Sequence, residues 1–283
     1  MKIATWNVNS IRARLDRVLA VLERHDIDVL AIQELKCATA KFPAAAFEER
    51  GYQVAAHGLN QWNGVAIISR VGLAQVRTEF PGQPGFSKDP DAEQPPLEAR
   101  AIGALVGGEL AAEQHGGIAQ HSAGATPLEL WSVYVPNGRA VGDSHYHYKL
   151  EFLAKLREYA ASVIARDTAA QLALVGDWNV IPTDSDVWDP DAIEGHLYMT
   201  PPEREAFFAF ETAGLTEVTR PRVTNYTFWD YQRLHFPRNE GMRIDYVYAS
   251  EALAQRVHTA QIDRDERKGK GASDHVPVIV ELA

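Results

Sequence analysis

The sequence predicts a single α/β domain in which two similar sheets pack face to face. Three observations carry this. The chain has 283 residues, 46% of them hydrophobic, enough for one large core without division into domains. Apolar runs with strand character recur in both halves, separated by amphipathic helical stretches. The triplet Trp6-Asn7-Val8 returns as Trp178-Asn179-Val180, each time directly after an apolar run. A turn repeated at strand ends is expected when two related sheets bring their ends to a common rim.

Residues 2–8 read as a strand entering a turn, and Ser10 as the N-cap of a helix with Ile11, Leu15, Val18, Leu19 and Leu22 on one face. Residues 28–34 form a compact apolar run ending in polar residues, as a buried strand does when its tip reaches a site, which gives β-α-β. Residues 64–69, 99–105 and 128–135 read as further strands, with a Pro, Gly and Asp-rich loop at 81–96. Residues 107–127, rich in Gly, Ala, Ser and His, read as a flexible surface insertion, and its His115 and His121 lack a companion ligand pattern.

An amphipathic helix is expected over 149–165, leading into a strand at 172–176. Thr200-Pro201-Pro202-Glu203 has capping-box spacing with proline in the first turn, and Gly214 supplies the stop. Strands at 244–249 and 276–282 close the chain. No linker divides it.

The lone Cys37 excludes an intramolecular disulfide. The apolar runs fall far short of a bilayer span, and the start of the chain has no signal-peptide pattern. No heptad seam is present. These features point to a cytoplasmic monomer with no membrane partner.

Several strands end in residues that an apolar core disfavours: Asn7, Glu34, Asp177 with Asn179, and Asp245. Ser273-Asp274-His275 stands just before the final strand. Four converging carboxylates call for a hard divalent cation, and magnesium with oxygen ligands suits phosphate chemistry. A zinc pattern is absent. His275, with Asp245 available, suggests an imidazole kept protonated to meet charge developing on a phosphoryl oxygen.

These residues carry a resemblance. Trp6-Asn7-Val8-Asn9-Ser10-Ile11-Arg12-Ala13, Gln33-Glu34-Leu35-Lys36, Tyr134-Val135-Pro136-Asn137-Gly138, Gly176-Asp177-Trp178-Asn179, Met242-Arg243-Ile244-Asp245-Tyr246 and Ser273-Asp274-His275 resemble, in order, the exonuclease III family of abasic-site endonucleases. The resemblance implies a four-layered α/β sandwich of the DNase I-like kind, with two packed mixed sheets and outer helices. It implies a magnesium-dependent enzyme, with manganese as substitute, that hydrolyses phosphodiesters 5′ to abasic sites in double-stranded DNA or works at 3′ ends.

By the same resemblance, Glu34, Asn7 and Asp274 would hold the metal. Asp177 would position or deprotonate water, Asn179 would hold water or phosphate, and His275 paired with Asp245 would contact a non-bridging oxygen. Tyr134 would lie close to the phosphate. Phe228, Met242 and Ile244, with Trp229, would line a pocket for a flipped-out baseless sugar. Arg12, Lys36, Lys268 and Lys270 are the expected phosphate grips. Phosphatases of inositol lipids share the wider superfamily and remain an alternative, as does a DNA-binding module with a retired site.

The formal charge of -10 argues against DNA only as an average. Residues 42–130 hold five Lys and Arg against ten Asp and Glu, and residues 183–217 hold one against nine, which leaves the remainder at +3. That remainder contains the whole proposed rim.

Overall fold

The computed structural model describes residues 1–89, 91–108, 127–193 and 195–283. One sheet contains β1 (Lys2–Asn7), β2 (Val29–Gln33), β3 (Gln53–His57), β4 (Val65–Ser69), β11 (Val257–Ile262) and β12 (Val278–Leu282), in the order β11-β12-β1-β2-β4-β3. The other contains β5 (Leu73–Arg77), β6 (Ala101–Val106), β7 (Leu128–Tyr134), β8 (Leu172–Asp177), β9 (Leu215–Glu217) and β10 (Asp245–Ser250), in the order β5-β6-β7-β8-β10-β9. Each sheet has one parallel pair, β1 with β2 and β7 with β8, and is otherwise antiparallel. The two sheets are thus mixed and similarly wired, as the repeated triplet suggested.

Strand parity explains the layers. Successive side chains point to opposite faces, so Ile3 of β1 enters the gap between the sheets, where it joins Ala31, Ile67, Ile102, Leu130 and Val175. Ala4 and Trp6 point outward beneath helix α1 (Ile11–His25), which covers them with Val18, Val21 and Leu22. On the far side, α3 (Ser144–Arg166) and α4 (Pro201–Thr212) press Phe152, Leu156, Phe207 and Phe210 onto Trp131, Leu174 and Tyr248. Each such side chain contributes about 1.5–3 kcal/mol on burial. Helix, sheet, sheet and helix make the four-layered sandwich. A short α2 (Ala44–Glu48) completes the first half.

Four strands have no counterpart in the sequence expectation: β3, β5, β9 and β11. All four are sheet edges. Edge strands are half exposed, so their apolar signal is weak. Two helix starts also differ. Ser10 is at φ 92° and its side chain makes no capping bond; its N–H donates instead to the Glu34 carbonyl (2.8 Å). Helix α3 begins at Ser144 rather than 149, capped by Asp143, whose Oδ1 accepts the His145 N–H (2.7 Å). At Thr200 the expected box forms, its N–H donating to Glu203 Oε2 (3.0 Å). The insertion expected at 107–127 falls, for residues 109–126, outside the described residues.

Candidate active site

The same parity that buries Ile3 and Val175 places Asn7 and Asp177, the last residues of β1 and β8, in the gap between the sheets at one rim. There they meet: Asn7 Nδ2 donates to Asp177 Oδ2 (3.0 Å). Register adds the next group, since Asp245 opens β10 directly opposite Asp177. Gly176 is required within β8, next to Asp177, because a Cβ there would stand 1.9 Å from the Val133 carbonyl oxygen of the neighbouring strand β7.

His275 closes the array. Its Nδ1 pairs with Asp245 Oδ2 (2.8 Å), and its Nε2 lies 3.7 Å from Asp177 Oδ2. Burial works against a charge on this imidazole, but Asp245 and then Asp177 outweigh it and lift His275 to about 10. The ring is therefore cationic at neutral pH, with Nδ1 donating to Asp245. Asp177 moves up to about 7, chiefly through burial, with His275 pulling it down and Asp245 pushing it up. Its Oδ1 accepts the Asn179 N–H (2.9 Å), and Asn179 Nδ2 donates to the Val135 carbonyl (2.9 Å). Asp245 Oδ1 is buried and has no hydrogen-bond donor among the described residues.

Glu34 follows β2 at φ 56°, a left-handed conformation that non-glycine residues adopt at a cost. Its Oε1 accepts from the Tyr134 hydroxyl (2.5 Å), and its Oε2 pairs with Lys36 Nζ (2.8 Å). Burial alone would raise the Glu34 pKa, yet Lys36 and Tyr134 hold it low. Burial and Glu34 push Tyr134 well above its ordinary value, so the phenol stays protonated and acts as a donor. Beneath it, Arg100 lies 4.9 Å from the Tyr134 ring centroid.

The residues expected to hold metal are spread along this rim. Asn7 spends its amide on Asp177 and on the Asn9 N–H (3.0 Å to Oδ1). Asp274 Oδ1 accepts from Asn9 Nδ2 (3.0 Å), and Lys36 donates to the Asn9 side chain. Asn9 thus ties Asp274 to the Glu34–Lys36 pair. It directly follows the Trp6-Asn7-Val8 triplet, and that closeness to Asn7 is the signal that could have marked it. Among the described residues, the three metal-capable side chains whose ligand atoms all lie within 4.8 Å of one another are Asp177, Asp245 and His275. With a cationic ring among them, that trio is an ion-pair array. Glu34, Asn7 and Asp274 offer oxygen atoms, the donor type that a hard divalent cation takes.

Phe228 and Met242 exchange backbone hydrogen bonds (both 2.9 Å), and the Phe228 ring stands edge-on to His275 at 4.9 Å. Both are half-buried against Ile244, which is buried with Ile181 and Val187. A cleft of about 520 Å³ opens beside Met242, walled by Arg139, Val141, Leu197 and Tyr198. Trp229 departs from expectation: it is fully buried against Ile262, Val276 and Val278 and is not part of the cleft beside Met242. Its backbone pins the segment before His275, its N–H donating to the Asp274 carbonyl (2.9 Å). Arg12 and Lys270 are exposed, and Lys268 is exposed and paired with Asp265 (2.7 Å). Sequence reasoning also missed Thr227, whose buried hydroxyl accepts the N–H groups of Ile244 and Asp245 (3.1 and 3.2 Å) and so fixes the start of β10.

A sandwich of two mixed sheets whose strand ends gather buried carboxylates, a cationic imidazole and a rim of oxygen donors defines a phosphoester hydrolase. The chain belongs to the Endonuclease/Exonuclease/phosphatase family, whose sequence model matches residues 4–275, and within it to the exonuclease III branch of AP endonucleases; it is a nuclease. It is 27% identical to exodeoxyribonuclease III of Haemophilus influenzae over the full length of both chains. Among solved structures it is similar to the 3′ phosphatase NExo from Neisseria bound to a product DNA hairpin (32% identity, TM-score 0.84, 100% of this chain and 99% of that one). It is likewise similar to an AP endonuclease from Archaeoglobus fulgidus (31% identity, TM-score 0.82, with the same coverage).

Proposed function

We propose that this nuclease is a magnesium-dependent DNA repair enzyme that hydrolyses the phosphodiester 5′ to abasic sites in duplex DNA. The observation that carries the proposal is the buried Asp245–His275–Asp177 array set beside Glu34 at the rim. Glu34, with oxygens of Asn7 and Asp274, would hold the metal, which would supply positive charge to offset the negative charge developing on the phosphate. Asp177 holds the attacking water and takes its proton as the water oxygen bonds to phosphorus and the bond to the leaving 3′ oxygen breaks, that oxygen taking up a proton from solvent to leave as a hydroxyl. Cationic His275, oriented by Asp245, donates a hydrogen bond to a non-bridging oxygen where negative charge accumulates. Asn179 positions the water or the phosphate. Tyr134, a neutral phenol, offers a donor to the phosphate when it turns from Glu34. Phe228 and Met242, backed by the buried Ile244, receive the baseless sugar, which a complete nucleotide would overfill.

A second activity, removal of 3′-terminal phosphate or damaged 3′ ends with 3′–5′ exonuclease action, is favoured by the likeness to the 3′ phosphatase NExo. One experiment separates the alternatives. Incubation with magnesium or manganese and a duplex bearing one synthetic abasic site should give cleavage 5′ to the lesion that EDTA abolishes. A duplex with a nick ending in 3′-phosphate, run alongside, reports the second activity. Binding without cleavage of either would point to a retired module, and release of phosphate from inositol lipids alone would assign the site to that chemistry.

A further inference from the structure

Behind the Asp177–Asn179 turn lies an ion pair that the chemistry above does not use. Lys149, on α3, and Glu203, in the first turn of α4, both have 0% side-chain exposure and are in direct contact. Lys149 Nζ also donates to the carbonyl of Asn179 (2.6 Å) and lies 5.0 Å from the Tyr198 ring centroid. Glu203 accepts the N–H groups of Thr200 (3.0 Å) and Tyr198 (3.1 Å). Tyr198 in turn accepts from Asn137 Nδ2 through its hydroxyl (2.6 Å), three residues beyond Tyr134. The stem of Lys149 passes close under Gly138, where a Cβ would stand 3.4 Å from Lys149 Cδ and 2.8 Å from a Leu197 methyl. A single lysine therefore gathers the turns that carry Tyr134, Asp177 and Asn179, and anchors them to a helix start.

Stability is a poor explanation for this arrangement. A buried ion pair replaced by apolar groups of similar volume is commonly neutral or stabilising, because desolvation offsets the attraction. Asn179, however, is held at φ 49°, a left-handed conformation that surrounding contacts must impose. The Lys149 bond is aimed at the carbonyl of that residue.

We propose that Lys149 is a positioning residue for the phosphodiester hydrolysis: through its bond to the Asn179 carbonyl, and with Glu203 as its anchor, it fixes the strained turn that aims Asp177 and Asn179. This rests on the assignment of Asp177 and Asn179 to the reaction. The test is the double variant Lys149→Met/Glu203→Gln. It leaves no unpaired buried charge, and a glutamine can keep the helix cap of α4. Displacement of reacting groups by about 1 Å costs on the order of 100-fold, so single-turnover incision of abasic duplex should fall by roughly 10- to 100-fold per folded molecule. The DNA dissociation constant should stay within about twofold, since Lys149 is wholly buried and a positioning defect acts on the chemical step. Unchanged incision in a folded double variant would overturn the proposal, as would a loss accounted for by weaker DNA binding. If that variant does not fold, Lys149→Gln/Glu203→Gln, which keeps the slot polar but falls short of Asn179, carries the same expectation. Asn179→Ala is run in parallel: full activity there sinks the site assignment itself, whereas a dead Asn179→Ala beside an active double variant sinks only the role of Lys149.

Discussion

Replacing Asp177 with asparagine should stabilise the folded chain. The carboxyl is buried at 1% exposure, so solvent does not screen it. Its value of about 7 against an ordinary 3.8 means that the fold disfavours the charged form. Because the folded value is raised, the linked stability is complete below about pH 4 and is lost as pH climbs through about 7. Between about pH 5 and about pH 8 the native chain should lose roughly 2–3 kcal/mol that the Asn variant keeps. His275, also raised, contributes stability that is complete below its ordinary 6.5 and lost through about 10. In the variant Asp245 still raises His275 but Asp177 no longer does, so the difference between the proteins reports Asp177 together with its hold on His275. For a chain of this size 1 kcal/mol moves Tm by roughly 2–4 °C, so the Tm gap should widen by about 4–10 °C over that range. Thermal melts of both proteins in EDTA, followed by circular dichroism across the pH series, measure it. Parallel Tm–pH curves would refute the account of a carboxylate held against its preference.

Activity should follow the same groups. With magnesium present, kcat should rise on an acid limb at or below about 7 as Asp177 becomes a base, since a cation nearby favours the carboxylate, and fall as His275, raised to about 10, loses its charge; a pH–rate profile reads both limbs. DNA affinity should decline steeply with salt despite the sequence pI of about 5.5, because the acidic excess lies outside the rim, and a log–log plot of binding against salt with no slope would count against that partition. Asn9→Ala should cut kcat about tenfold and weaken metal affinity, as it unties Asp274 from Lys36, and metal titration of incision reports both effects.

Much of the site was legible because strand parity is legible. Asn7, Asp177 and Asp245 stand at odd positions of runs whose other odd positions are Ile3, Val175 and Val247, so the pattern that fills the inter-sheet gap also delivers polar ends to its rim. Edge strands such as β3 and β11 were not legible, since their outward residues face water. Trp229 reads from sequence like its neighbour Phe228, yet it faces the other way, into Val276 and Val278. The contact of Lys149 with Glu203 links residues 54 apart on two helices, and no local periodicity encodes such a meeting. Left-handed backbone at Asn9, Glu34, Lys36 and Asn179 is equally hidden until the fold exists, and it gathers where the chemistry is.

The most direct test of the central claim compares single-turnover incision and DNA binding for the native chain and Asp177→Asn, using a magnesium-supplemented abasic duplex. The variant should lose at least about a thousandfold in incision while its dissociation constant for the same DNA changes by no more than a few-fold. Incision by Asp177→Asn at close to the native rate would contradict the assignment of the buried Asp245–His275–Asp177 array to phosphodiester hydrolysis.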